Sequence, residues 1–219
     1  MTPAFDPEVA MGFVLAGGRS SRMGRDKALL SFGDQSLVAR ALSILRAAGL
    51  QVGVAGTRSA LDVEAPVFLD ASPDLGPLSG VCAALSQTNA EWSAFLPIDM
   101  PLVPASLLDS MLQNAIATER EVTVLSVCGF AQTFPAVLHR AALPSLLNSL
   151  QSGERGCYRA FKNAAQALGR PMAVLPVETL AVAGQVTHPG GLPAARWLVN
   201  VNTPADLERA GAFLRGRFA

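Results

Sequence analysis

The sequence predicts an α/β fold built around a mostly parallel sheet. Three observations lead there. Apolar runs of strand length alternate with helix-period segments from residue 11 to residue 127; glycine or proline punctuates the joins; and 50% hydrophobic against 16% charged residues is enough apolar material for a core covered on both faces.

Taken in order, residues 1–10 read as a loose leader and Met11–Leu15 as the first strand. Ser36–Ala48 carries Leu37, Ala41, Ile44, Leu45 and Ala48 at helical spacing, and Gly49 is placed to stop that helix. Gln51–Ala55 and Val67–Asp70 read as strands, Leu75–Gln87 as a helix, Trp92–Ile98 as a strand, Pro104–Thr118 as a helix and Glu121–Val127 as a strand. The pattern then loosens. Thr133–Leu138 is a strand candidate, Ala141–Leu150 and Cys157–Leu168 are helices, Met172–Val177 is a strand, and Gln185–Ala195 is a loop. Trp197–Val201 reads as a last strand running into a helix, with Thr203 as N-cap, Pro204 at the first helical position and Asp206 completing an S/T-x-x-D box. With 219 residues and no internal repeat, 1–219 is expected to form a single domain.

A formal net charge of zero removes the general electrostatic attraction that a nucleic-acid binder or an anionic-membrane binder carries. The N-terminus MTPAFDPEVA lacks the basic and apolar regions of a signal peptide, and no apolar run reaches about 18 residues. The expected location is the cytoplasm. Cys82, Cys128 and Cys157 are far apart and without metal-ligand spacing, so neither a disulfide framework nor a zinc site is expected. His139 and His188 have no recognisable partner spacing and read as structural.

The segment FVLAGGRSSRMGRDKALLSFG (Phe13–Gly33) puts Gly17 and Gly18 at the end of the first strand and crowds Arg19, Arg22, Arg25 and Lys27 into nine positions. Glycines without a Cβ let backbone N–H groups approach a phosphate or a base, and the cations supply charge to phosphate oxygens. Neither GxGxxG nor GxxxxGK[ST] is present. From the residues alone, a surface loop with solvated arginines remains open beside a nucleoside triphosphate cradle. Asp99 stands just past an apolar strand and is braced by Pro101 and Pro104, which suits a hard oxygen ligand as well as a turn or cap residue. Asn200 and Asn202 alternate with valines and so share a face.

LAGGRSSRMGRDKALL (Leu15–Leu30) resembles the signature of the nucleotidyltransferase superfamily, and within it is most similar to the molybdenum cofactor guanylyltransferases, the MobA family. GPLSG (Gly76–Gly80), IDMPLVP (Ile98–Pro104), the GER stretch (Gly153–Arg155) and VNVNTPADL (Val199–Leu207) extend the resemblance in the same order. It implies a three-layer Rossmann-like fold of the nucleotide-diphospho-sugar transferase type. It implies transfer of GMP from GTP to the terminal phosphate of molybdenum-molybdopterin, with Mg²⁺ as cofactor. Other cofactor assembly proteins and apo-molybdoenzymes would be the further partners.

By the same resemblance, Leu15, Ala16, Gly17, Gly18, Lys27, Asp70 and Asp99 bind the nucleotide, Lys27, Arg22 and Asp99 are catalytic, and Asp99 and Asn202 hold the metal. Gly18 favours GTP, since cytidylyl-transferring relatives tend to read LAAG. The alternatives are a cytidylyltransferase on the same cofactor, a sugar-phosphate nucleotidyltransferase, and a non-catalytic nucleotide-binding assembly protein. The chain departs from the family pattern at Ala55, at Phe134 before Pro135, and at Gly156 after GER. The last two fall where the acceptor is expected.

Overall fold

β1 (Ala10–Leu15) is buried along nearly its whole length, as a strand covered on both faces must be. The computed structural model describes residues 5–16, 27–57, 63–70 and 75–214. A small hairpin, β2 (Ser31–Phe32) and β3 (Gln35–Ser36), turns at Gly33, whose φ of 68° suits glycine. It leads into α1 (Leu37–Ala47), capped by the Ser36 hydroxyl and ended at Gly49, φ 83°. There follow β4 (Gln51–Thr57), β5 (Val67–Leu69), α2 (Pro77–Gln87), β6 (Trp92–Pro97) and α3 (Ala105–Thr118). The second half contributes β7 (Val122–Val127), β8 (Phe130–His139), α4 (Leu143–Gln151), α5 (Cys157–Ala167), β9 (Ala173–Pro176), α6 (Val177–Val182) and α7 (Pro204–Leu214).

The sheet runs β5-β4-β1-β6-β8-β7-β9. All neighbours are parallel except β8, which is antiparallel to both β6 and β7. The carboxyl ends of six strands and the amino end of β8 therefore share one edge. α1 and α3 cover one face over Val14, Val54 and Leu96; α2, α4 and α5 cover the other over Phe13, Leu15 and Phe95. This is the three-layer, mostly parallel arrangement that the sequence predicts. Gly80 of α2 sits so close to β4 that a Cβ there would lie 2.7 Å from the Gly56 Cα, so helix and strand meet backbone to backbone.

Two local readings are corrected and one element is added. Trp197–Val201 is not a strand: Trp197, Leu198 and Val201 are buried by packing on the α1/α3 side, and its apolar spacing is satisfied without a ladder. α6 follows β9 directly, where the sequence suggested strand up to Val177. The β2–β3 hairpin was not anticipated, because two-residue strands carry no period. The final helix starts at Pro204 as predicted: Thr203 Oγ1 accepts from the Asp206 N–H at 3.1 Å, and Asp206 Oδ2 accepts from the Thr203 N–H at 2.9 Å. Of the expected leader, residues 1–4 lie outside the described residues, while Phe5 donates to the Gly49 carbonyl and Glu8 accepts from the Glu91 N–H. Among the described residues no helix is long and apolar enough to cross a membrane.

Candidate functional site

At the shared sheet edge β6 loses one neighbour. The β6–β8 ladder runs from Trp92↔His139 to Phe95↔Ala136 and stops there, while the β7–β8 register jumps from Val124↔Ala136 to Leu125↔Gln132. Thr133, Phe134 and Pro135 therefore arch out of β8. Pro135 has no N–H to donate, and in an interior strand such a residue belongs in a bulge. The arch opens a cleft of about 430 Å³ beside the end of β6. Leu15, Ala16, Lys27 and Pro77 line one side; Gln132, Thr133 and Phe134 line the other; Asp99, Asn200 and Asn202 lie along it as well.

Lys27 opens a short turn (Lys27–Leu29) whose Ala28 is buried in the core, which anchors the side chain from below. Its Nζ lies 3.2 Å from Asp99 Oδ2 and 2.9 Å from Asn202 Oδ1, bringing together residues 72 and 175 positions apart along the chain. Asp99 is held from several sides. The adjacent Ile98 N–H donates to the Leu15 carbonyl at 3.2 Å, the Asp99 carbonyl accepts from the Val201 N–H at 2.8 Å, and Arg40 Nε donates to the Pro101 carbonyl at 3.2 Å. Ile98, Met100, Leu102 and Val103 are buried around it. The Val201 hydrogen bond sets Asn200 and Asn202 on the cleft side of their segment while Val201 itself is buried, so the shared face expected of the two asparagines is present without a strand.

The Asn202 N–H donates to Asp206 Oδ2 at 3.1 Å, tying the site to the start of α7. The Thr203 side chain, and after it the Asn202 N–H, holds the Asp206 carboxyl below the usual carboxylate range.

Of the predicted site residues, Leu15, Ala16, Lys27, Asp99 and Asn202 line this one cleft. Asp70 follows β5 at the same sheet edge but does not line it; its carboxylate accepts from the Ser79 hydroxyl at the start of α2. Gly17, Gly18 and Arg22 lie outside the described residues, as do Arg19, Arg25 and Asp26. Ala55 is buried and its carbonyl accepts from the Ala16 N–H at 3.0 Å, so it presents backbone to the strand beside the cleft. Glu154 accepts from the Gly156 N–H at 2.7 Å and pairs with Arg159, an arrangement that organises the start of α5; Arg155 does not line the cleft.

The histidines stand apart from the cleft. His139 pairs with the first residue of β6, at the opposite sheet edge, against the Trp92 ring and 3.3 Å from Glu91. His188 stacks on Trp197, and burial lowers its pKa. Sequence reasoning did not single out Gln132 or Thr133. Their available signal was a proline inside an apolar strand pattern, in FAQTFPAVL.

Residues 12–168 match the family model described as MobA-like NTP transferase domain. The chain is 26% identical over 212 residues to the molybdenum cofactor guanylyltransferase of Aliivibrio fischeri, covering 95% of this chain and 98% of that protein. It is 34% identical over 153 residues to the one from Pseudomonas putida, covering 68% of this chain and 80% of that protein. Among solved structures, the fold is similar to molybdopterin-guanine dinucleotide biosynthesis protein A from Archaeoglobus fulgidus, with a TM-score of 0.75 at 20% identity over 94% of this chain and 99% of that one.

Proposed function

This chain belongs to the family of MobA-like NTP transferase domains, and from that premise we propose that it transfers GMP from GTP to the terminal phosphate of molybdenum-molybdopterin, forming the guanine dinucleotide cofactor and pyrophosphate. The observation that carries this reading is the junction of Lys27, Asp99 and Asn202 inside a cleft at the carboxyl edge of the sheet, the edge where open α/β folds bind ligands.

In the reaction a phosphate oxygen of the acceptor forms a bond to the α-phosphorus of GTP as the bond from that phosphorus to the bridging oxygen of the β-phosphate breaks, and pyrophosphate leaves with the electron pair. A phosphate monoester is largely dianionic above its second pKa of about 6, so no side-chain base is required. That agrees with two histidines that do not line the cleft. The obstacle is repulsion between an anionic nucleophile and a triphosphate.

Lys27 supplies a positive charge at the cleft, and the Asp99 and Asn202 oxygens hold its ammonium in place there. Asp99 and Asn202 supply oxygen donors of the kind that hard divalent ions take, so they are the residues that would hold Mg²⁺, with the Lys27 ammonium then released from them toward the phosphates. Bound there, Mg²⁺ would neutralise phosphate charge as a Lewis acid. Leu15 and Ala16 offer backbone to the nucleotide, joined by Gly17 and Gly18, with Arg22 as a second cation; Asp70 is the further nucleotide contact that the family resemblance implies. GTP and molybdopterin are the substrates, cytoplasmic assembly proteins and apo-molybdoenzymes the further partners.

Titration of the protein with GTP, CTP and ATP in the presence of Mg²⁺, followed by pyrophosphate release on addition of molybdopterin, tests the reading. Tight binding of GTP alone and acceptor-dependent release are expected. Preference for CTP, or binding with no release, would replace it.

A further inference from the structure

We propose that Phe134 is the residue that recognises the acceptor, its ring forming a platform for the planar pyrimidinone ring of the pterin. The proposal rests on the guanylyl-transfer reading and deepens it. The cleft has two ends. One is made by the end of β1 and the entry to α2, with Leu15, Ala16 and Pro77; the other, across the end of β6, is made by the arch in β8. With the triphosphate held from Lys27 and the nucleotide on the β1 side, the acceptor phosphate must come in from the β8 side, because attack and departure lie on opposite sides of the reacting phosphorus.

That side presents one aromatic ring and three hydrogen-bonding side chains. Phe134 is only partly buried, lines the cleft, and packs against both core clusters. Its ring meets the fully buried Phe161 of α5 edge-on, with centroids 5.8 Å apart and an interplanar angle of 87°. The ring is thus packed against a core side chain before any ligand arrives. Gln132, Thr133 and Asn200 around it carry amide and hydroxyl groups that match the polar rim of a pterin. A fixed aromatic face beside such groups is how proteins hold heteroaromatic rings, and loss of such stacking on a base weakens binding by roughly 5- to 150-fold.

The test measures the acceptor KM and the GTP Kd, with thermal unfolding as a control, for wild type and for Phe134→Ala, Phe134→Leu and Phe134→Tyr. The expected result is an acceptor KM raised about ten-fold or more in the Ala and Leu variants, near wild type in the Tyr variant, with the GTP Kd unchanged throughout. Leu keeps an apolar contact with Phe161 and loses only the aromatic face, so recovery by Leu would assign Phe134 a packing role and overturn the proposal. An unchanged acceptor KM in the Ala variant, or an equal loss of GTP affinity, would overturn it too. Wild-type protein that binds GTP yet releases no pyrophosphate with molybdopterin would instead sink the guanylyl-transfer reading, and this proposal with it.

Discussion

Lys27 makes contacts with both Asp99 and Asn202, and these define what single side chains do at the site. Lys27→Ala and Asp99→Asn are each expected to lower kcat by about 10²- to 10³-fold, roughly 3–4 kcal/mol of barrier, with little change in Tm; steady-state kinetics beside thermal unfolding will check both. That Asp99 and Lys27 share one cleft was anticipated through the family resemblance; the local sequence, a carboxylate at the end of an apolar run and a lysine after paired glycines, left a cap residue and a solvated loop open. Phe134 was noticed only as a departure, since its place in the cleft depends on a register jump between two other strands. The thiols divide by burial. Burial first, then the neighbouring Asp70, pushes the Cys82 thiol up to about 12; burial first, then Cys82 itself, pushes Cys157 to about 12; Cys128 is exposed. A thiol reagent at pH 8 should therefore modify Cys128 in the native protein and all three cysteines after denaturation, as counted by absorbance.

At the level of elements, α7 carries its own pH dependence. The folded-state pKa of Asp206 is depressed, chiefly by the Thr203 side chain, so its contribution is present above the ordinary carboxylate pKa of about 4 and is lost as pH falls through the lower folded value. Denaturant titrations from neutral to acid pH should show a shallower acid loss in Asp206→Asn than in wild type, and Thr203→Ala should cost about 1 kcal/mol at pH 7. That cap was legible because a helix start is written in four consecutive residues. The stretch Trp197–Val201 was misread because burial in a loop and burial in a sheet leave the same apolar spacing, and only the hydrogen-bond partners tell them apart. Gly80→Ala tests the α2–β4 contact: the added methyl meets backbone rather than a movable side chain, so a loss of about 1–3 kcal/mol is expected by chemical denaturation.

For the molecule as a whole, two hydrophobic clusters, one on each face of the sheet, hold the fold. No group of three or more His, Cys, Asp or Glu suited to a metal occurs among the described residues. With Mg²⁺ serving the bound triphosphate at Asp99 and Asn202 as proposed, a chelator is expected to abolish turnover while leaving the Tm of the nucleotide-free protein unchanged, a separation that calorimetry and kinetics on one sample will show. The layered architecture could be anticipated from alternating apolar runs because parallel strands are buried on both faces. The reversal of β8 was not drawn from it, although the five residues between the expected strands Glu121–Val127 and Thr133–Leu138 are too few for a parallel crossover.

The hydrogen bond from Val201 to the Asp99 carbonyl has a temporal consequence. Every strand of the sheet is encoded before residue 177, whereas the asparagines that complete the pocket come after it. On the ribosome, a nascent polypeptide can pair all seven strands while the lysine still lacks the Asn202 amide. The segment that carries Asn200 and Asn202 reaches the cleft only by crossing back over a scaffold already laid down.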